Sequence, residues 1–151
     1  MHRALQGASG VELIQLVARR SDAFSDFEPG IPRGILGGSI SEADVYLIAV
    51  ADSAIEDVAG HLRDKAGLVV HTSGARDLEA LRGISRAGVF YPLQTFSRER
   101  ELDFGEIPLC LETGQPADLP LLRTLAESLS SQVLELDVAA RRQLHLAAVF
   151  V

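Results

Sequence analysis

The chain is 151 residues long, 47% hydrophobic and only 5% aromatic, with no tryptophan and a net charge of −7. That length holds one domain with a real core, and no apolar run approaches the ~18–20 residues of a membrane span. An acidic chain with a pI of about 5.0 and no basic stripe is a poor partner for nucleic acid.

The first ten residues hold no apolar segment of the kind a signal peptide needs. Residues 1–9 read as the tail of a helix closed by Gly10. Residues 11–18 (VELIQLVA) read as a strand that stops at Arg19, Arg20 and Ser21. Residues 22–41 are loop-rich, with glycines and prolines throughout and one short strand expected around 34–36. The stretch 44–74 organises the rest. Its apolar runs, 45–50 (VYLIAV) and 68–70 (LVV), suit strands buried on both faces of a parallel sheet. Between them Ile55, Val58, Ala59 and Leu62 share one face of a helix. Ser53 and Glu56 have the spacing of a capping box, so that helix is expected to start near Asp52 or Ser53. The unit is a right-handed strand–helix–strand crossover.

Residues 77–81 read as a short helix, and 88–91 (GVFY) as a strand halted by Pro92. Residues 95–105 are polar and charged, an exposed loop. A strand over 107–112 carries Pro108, which pushes it to a sheet edge or sits at its start. Cys110 lies in that apolar run and reads as a buried, inert thiol; as the single cysteine it excludes an internal disulfide and fits a reducing cytoplasm. Asp118 is placed to cap a helix whose Leu122, Leu125, Ala126 and Leu129 share a face. A last strand covers 133–136, and Asp137 starts a helix with Leu144, Ala147, Ala148 and Val151 on one side. Alternating strands and helices make a three-layer α/β domain. An unpartnered apolar stripe on the last helix predicts self-association.

Ligands in such sheets bind beyond the carboxyl ends of the strands. That singles out Val50, Ala51 and Asp52 after one strand, and His71, Thr72, Ser73 and Gly74 after the next. His71 is a candidate proton carrier near neutral pH, or a side chain that bonds a backbone carbonyl. Thr72 and Ser73 are candidate site residues, or caps of the following turn. Asp52 likewise lines a site or caps its helix. Tyr91, Gln94 and Thr95 stand at the next strand end, as cleft lining or an ordinary turn. No histidine pair has metal-ligand spacing beside a cysteine or carboxylate cluster, so no metal is expected. Neither a nucleophile elbow nor a P-loop lysine motif occurs, which argues against a hydrolase or an NTPase.

The segments HTSGA (71–75) and VFYPLQTFS (89–97), with DVYLIAVADSAI (44–55) before them and LHLAAVFV (144–151) after, resemble a family of NADP-dependent oxidoreductases. That family joins a Rossmann-like domain to a helical domain of unknown function, and is similar to pyrroline-5-carboxylate reductase and the deazaflavin-dependent NADP reductases. The resemblance implies a nucleotide-binding domain over 1–136 with a mostly parallel sheet, and the first helix of a dimerising helical domain over 137–151. It implies NADP as cofactor, a small-molecule substrate and a homodimer. Arg19, Arg20 and Ser21 then fall where an acidic residue takes the ribose of NAD and an arginine takes the 2′-phosphate of NADP. Val50, Ala51 and Asp52 would line the adenosine side, and His71, Thr72, Ser73 and Gly74 the nicotinamide; His71, Ser73 and Tyr91 are the catalytic candidates, and Gln94 and Thr95 face the substrate.

The family begins with a strand and a G-x-G-x-x-G turn that this sequence does not contain, so a chain truncated at both ends, and inactive alone, is expected. The alternative is a non-catalytic Rossmann-like binding or scaffold protein without the cofactor loop. In the 3-2-1-4 strand order, the missing strand would lie between 11–18 and 44–50. The gap could be closed by moving strand 11–18 across, filled by another chain, or left with residues 1–41 poorly folded; the last is the expectation for the free chain.

Overall fold

A computed structural model of the chain describes residues 1–25, 27, 29–94 and 103–149. Its central sheet has five strands: β3 (Val45–Ile48), β4 (Leu68–His71), β5 (Ala87–Pro92), β6 (Leu109–Thr113) and β7 (Val133–Glu135), hydrogen-bonded in that order. Strands β3, β4 and β5 are parallel. Strand β6 runs antiparallel to β5, and β7 parallel to β6. Two further strands, β1 (Leu16–Ala18) and β2 (Arg33–Ile35), form a separate parallel pair.

The sheet has helices on both sides, the three layers expected. One face carries Leu68, Val70, Phe90, Leu109 and Leu111, covered by α1 (His2–Gly7) through Leu5 and by α3 (Leu119–Glu127) through Leu122 and Ala126. On the other face Tyr46, Ile48 and Val69 meet Ile55 and Ala59 of α2 (Ile55–Gly60), with Leu62 just beyond it. Val89, Tyr91 and Cys110 continue that face under Leu78, Leu93 and Leu136. All four residues of β4 are buried, as an uninterrupted apolar run predicts for a central strand.

Several local expectations are corrected. The strand expected over 11–18 is three residues long, because β2 alone pairs with it and offers only three partners. It has not moved beside β3: Gln15 ties the segment before β1 to residues 39–41 by donating to the Ser39 carbonyl and accepting from the Ser41 amide. Residues 52–54 form a 3-10 turn ahead of α2, and no side chain caps either start; Glu56 pairs instead with Arg76, so the capping box does not form. Asp118 does not cap α3 with its side chain, because Arg86 holds its buried carboxylate at 2.7 Å. Pro92 ends β5 from inside the strand, and Pro108 immediately precedes β6, which is internal to the sheet.

The helix expected from Asp137 is present as α4 (Val138–Val149), with Asp137 accepting from the Ala140 amide at 2.8 Å. Its inward stripe is not the apolar one expected. Val138, Arg141, Leu144, His145 and Ala148 turn inward, and Ala147 is exposed; Val151 lies outside the described residues. The charged run at 98–101 also lies outside them.

Leu122 is fully buried where α3 meets the sheet. Leu122→Ala is expected to cost about 2–5 kcal/mol, the range for deleting a core leucine with partial collapse of the cavity. Urea unfolding of both proteins measures it, and a loss below about 1 kcal/mol would contradict this packing.

Candidate functional site

The carboxyl ends of the three parallel strands lie together at one end of the sheet, where the strand-end rule put the site. After β3, Val50, Ala51 and Asp52 are exposed and lead into the 3-10 turn. After β4 comes the turn 71–77, which two side chains hold in shape. The Ser73 N–H donates to His71 Nδ1 at 3.2 Å. His71 Nε2 lies 3.2 Å from the Asp77 carbonyl oxygen. A carbonyl can only accept, so Nε2 carries the hydrogen, Nδ1 carries none, and the ring is neutral. Burial agrees: it pushes the imidazole below its ordinary pKa, with the Arg141 and Arg76 cations acting in the same direction. Ser73 Oγ accepts from the amides of Ala75 and Arg76, at 3.1 and 3.0 Å. Thr72 is tied to β3 through its amide, which donates to the Ile48 carbonyl at 3.2 Å. His71 and Ser73 therefore have visible structural work, and both ring nitrogens of His71 are engaged by backbone.

The first turn of α2 gathers the neighbouring strand ends. Glu56 pairs with Arg76 of the 71–77 turn, and Asp57 pairs with Arg19 at 2.8 Å. Arg20 pairs with Asp22 at 2.7 Å, and Ser21 opens a 3-10 turn over Ser21–Phe24. Arg19, Arg20, Asp22 and Ala23 line a shallow recess of about 330 Å3. Both arginines are exposed, so each pair contributes roughly 0–1 kcal/mol and either guanidinium is free to exchange its carboxylate for another anion.

Tyr91 lies in β5, and Gln94 two residues beyond its end. The Gln94 amide donates to the Pro92 carbonyl at 2.8 Å, in an ordinary turn; Thr95 lies outside the described residues. Tyr91 is buried, and its hydroxyl is 2.9 Å from His145 Nδ1 of α4. Gly74 closes over this pair: a Cβ there would fall 2.6 Å from His145 Nδ1 and 2.6 Å from the Tyr91 ring. Helix α4 also grips the 71–77 turn with two arginines. Arg141, wholly buried, donates to the Arg76 carbonyl at 2.5 Å and pairs with Glu112 of β6. Arg142 Nε donates to the Ala75 carbonyl at 2.8 Å.

Sequence reasoning missed His145 and Arg141. Polar residues in a helix read as solvent-facing, and only the 138, 141, 145, 148 spacing shows that they share the docked stripe. Among the described residues no group of three or more His, Cys, Asp or Glu side chains could hold a metal ion. Among them too, no helix is long and apolar enough to cross a membrane. Burial raises the pKa of the Cys110 thiol, as for a packed rather than a reactive cysteine.

The neutral His71 gives a stability prediction. Its folded pKa lies below 6.5, the ordinary value the unfolded chain keeps. Between those two values the unfolded chain binds more protons, so stability is complete above about pH 6.5 and falls as the pH drops towards the folded value. Urea midpoints from about pH 7.5 to 5 should show this slope, and a shallower one in His71→Gln. An equal slope in both proteins would assign the pH dependence to another group.

Residues 107–151, spanning β6 to α4, match the family described as a domain of unknown function (DUF2520). No curated protein is significantly similar to the chain. Among solved structures it is similar to a putative NADP oxidoreductase from Bacteroides fragilis, with a TM-score of 0.82 and 33% identity over 93% of this chain and 57% of that one. It is also similar to a Thermotoga maritima protein, with a TM-score of 0.75 and 22% identity over 100% of this chain and 60% of that one, a likeness of fold alone. The chain thus spans less than two thirds of either structure. With the motifs at 44–55, 71–75 and 89–97, these likenesses show a Rossmann-like fold and support an NADP-oxidoreductase-like family.

Proposed function

We propose that the chain is the nucleotide-binding part of an NADP-dependent oxidoreductase that passes a hydride to or from a small-molecule substrate. One observation carries the reading: the first turn of α2 joins the end of β1, through Asp57 and Arg19, to the turn after β4, through Glu56 and Arg76. The strand ends that a dinucleotide would cross are thereby held along one edge. Similarity to a structure named as an NADP oxidoreductase supports the same reading.

The residues fit the cofactor at two points. Arg19 and Arg20 fit a ribose 2′-phosphate, since their planar forks make charge-assisted bonds to phosphate and their present partners are exposed carboxylates that give way at little cost. Val50, Ala51 and Asp52 would line the adenosine side, and Thr72, Ser73 and Gly74 the nicotinamide side. The sequence has no G-x-G-x-x-G run to offer amides to the pyrophosphate. When bound, the nicotinamide supplies or accepts the hydride. The protein's part is to orient it: Thr72, bonded to β3, and Ser73, bonded within its own turn, keep the cleft wall rigid. A homodimer and a cytoplasmic setting belong to the same proposal.

Calorimetric titration with NADP and NAD tests it. A form that carries the glycine turn is expected to prefer NADP, and Arg19→Ala/Arg20→Ala in that form to lose about 1.5–3 kcal/mol of the preference, the range for hydrogen bonds to charged groups. An unchanged preference would show that the arginines are misassigned. A full-length form that folds but binds neither nucleotide would favour the non-catalytic scaffold.

A further inference from the structure

We propose that Tyr91, backed by His145, is the acid that protonates the substrate oxygen as the hydride arrives, which makes the substrate a carbonyl compound. This rests on the oxidoreductase reading above and adds the chemistry of the reacting group. Tyr91 stands at the carboxyl end of β5, beside the β4 end that carries the turn 71–77. Its hydroxyl meets His145 Nδ1 at 2.9 Å, with the rings edge to face and their centroids 5.7 Å apart. Gly74, in the turn assigned to the nicotinamide side, packs its backbone against both rings with no room for a Cβ. The pair therefore adjoins the cofactor wall, on the face of the sheet covered by α2 and α4.

The chemistry suits a carbonyl. A hydride from a reduced nicotinamide adds to the carbonyl carbon, and the π pair moves to oxygen. That alkoxide takes the proton of the Tyr91 hydroxyl. The phenolate takes the Nδ1 hydrogen of His145 while Nε2 takes one proton from solvent, so the imidazole stays neutral and the reduction consumes one solvent proton. The products are an alcohol and oxidised nicotinamide. Burial raises the pKa of the Tyr91 phenol, so it stays protonated through neutral pH, and only a strong base such as an alkoxide takes its proton. An iminium ion, reduced to a neutral amine, needs no such acid. His145 is half-buried and lies on the inward stripe of a helix that Arg141 and Arg142 anchor to the same turn. Tyr91 would be the catalytic residue and His145 its positioning and relay partner.

Both residues lie within this chain, so the chain itself serves for the NMR test, and the binding and turnover tests use a longer form that carries the glycine turn and the whole helical domain. First, 15N NMR of the histidine rings, without cofactor, should show the His145 Nδ1 resonance displaced in Tyr91→Phe; no displacement would mean that the pair does not form. Second, NADPH binding is measured by calorimetry, and its failure would count against the oxidoreductase reading itself. Third, with NADPH saturating, a panel of aldehydes, ketones and 2-oxo acids is screened for NADPH oxidation. Tyr91→Phe should lower kcat at least about a hundredfold, the low end for general acid catalysis, with KM and NADPH affinity little changed. It should also abolish the solvent deuterium isotope effect on kcat. His145→Gln should keep Tyr91 in place yet lower kcat and flatten its pH profile, and Gly74→Ala, which pushes the rings apart, should resemble Tyr91→Phe. A purely structural tie between α4 and the sheet would alter stability and leave the isotope effect intact. NADPH binding without reduction of any carbonyl, or reduction that survives Tyr91→Phe, would overturn the assignment.

Discussion

The candidate site depends on one neutral imidazole. His71 is the last residue of β4, and its ring spans its own turn, accepting from Ser73 and donating to Asp77. Around that turn the other parts are assembled. Arg76 leaves it towards α2, the Ala75 and Arg76 carbonyls receive the two arginines of α4, and Gly74 seats Tyr91 and His145. A proton on Nδ1 would set two donors against each other at the Ser73 amide. It would also leave a buried charge beside Arg141, so both geometry and desolvation keep the ring neutral.

The central strands were legible in the sequence because burial on both faces removes alternation and leaves apolar runs. Val45–Ile48 and Leu68–His71 are such runs, and both are strands. Helical spacing found the Leu122, Ala126 and Leu129 face for the same reason. Strand direction was not legible. The residues of β6 read alike whichever way the strand runs, so its antiparallel pairing with β5 left no mark in the pattern. The capping residues misled where a more distant partner of opposite charge competed. Glu56 turns to Arg76, and the carboxylate of Asp118 turns to Arg86, because charged partners outbid a backbone amide.

Site residues split along the same line. The strand-end rule put Val50, Asp52, Thr72 and Ser73 at the carboxyl end of the sheet from position alone, and they do lie there, whereas a role for the arginines after β1 came only with the family resemblance. The second half of the site comes from a helix 54 residues beyond Tyr91, and a lone histidine in a helical pattern signals nothing about what it will meet. Gly74 carried more information than its motif suggested: it is there because two rings occupy the space of its Cβ.

The manner of docking of α4 follows from that crowding. A stripe of leucines would hold the helix by area and would tolerate sliding, since apolar contact has no direction. Here the contact is a buried arginine shared between Glu112 and a backbone carbonyl, a second arginine on the next carbonyl, and a histidine on a phenol. Losing one partner of a buried ion pair costs about 3–5 kcal/mol, so a shift of one residue along the helix would break more than the remaining apolar contacts restore. Arg141 Nε has no hydrogen-bond partner among the described residues, which shows that the contact is set by direction even at some cost in satisfaction. Helix α4 is thus held in one register over the turn 71–77, and that register brings Nδ1 of His145 to the hydroxyl of Tyr91.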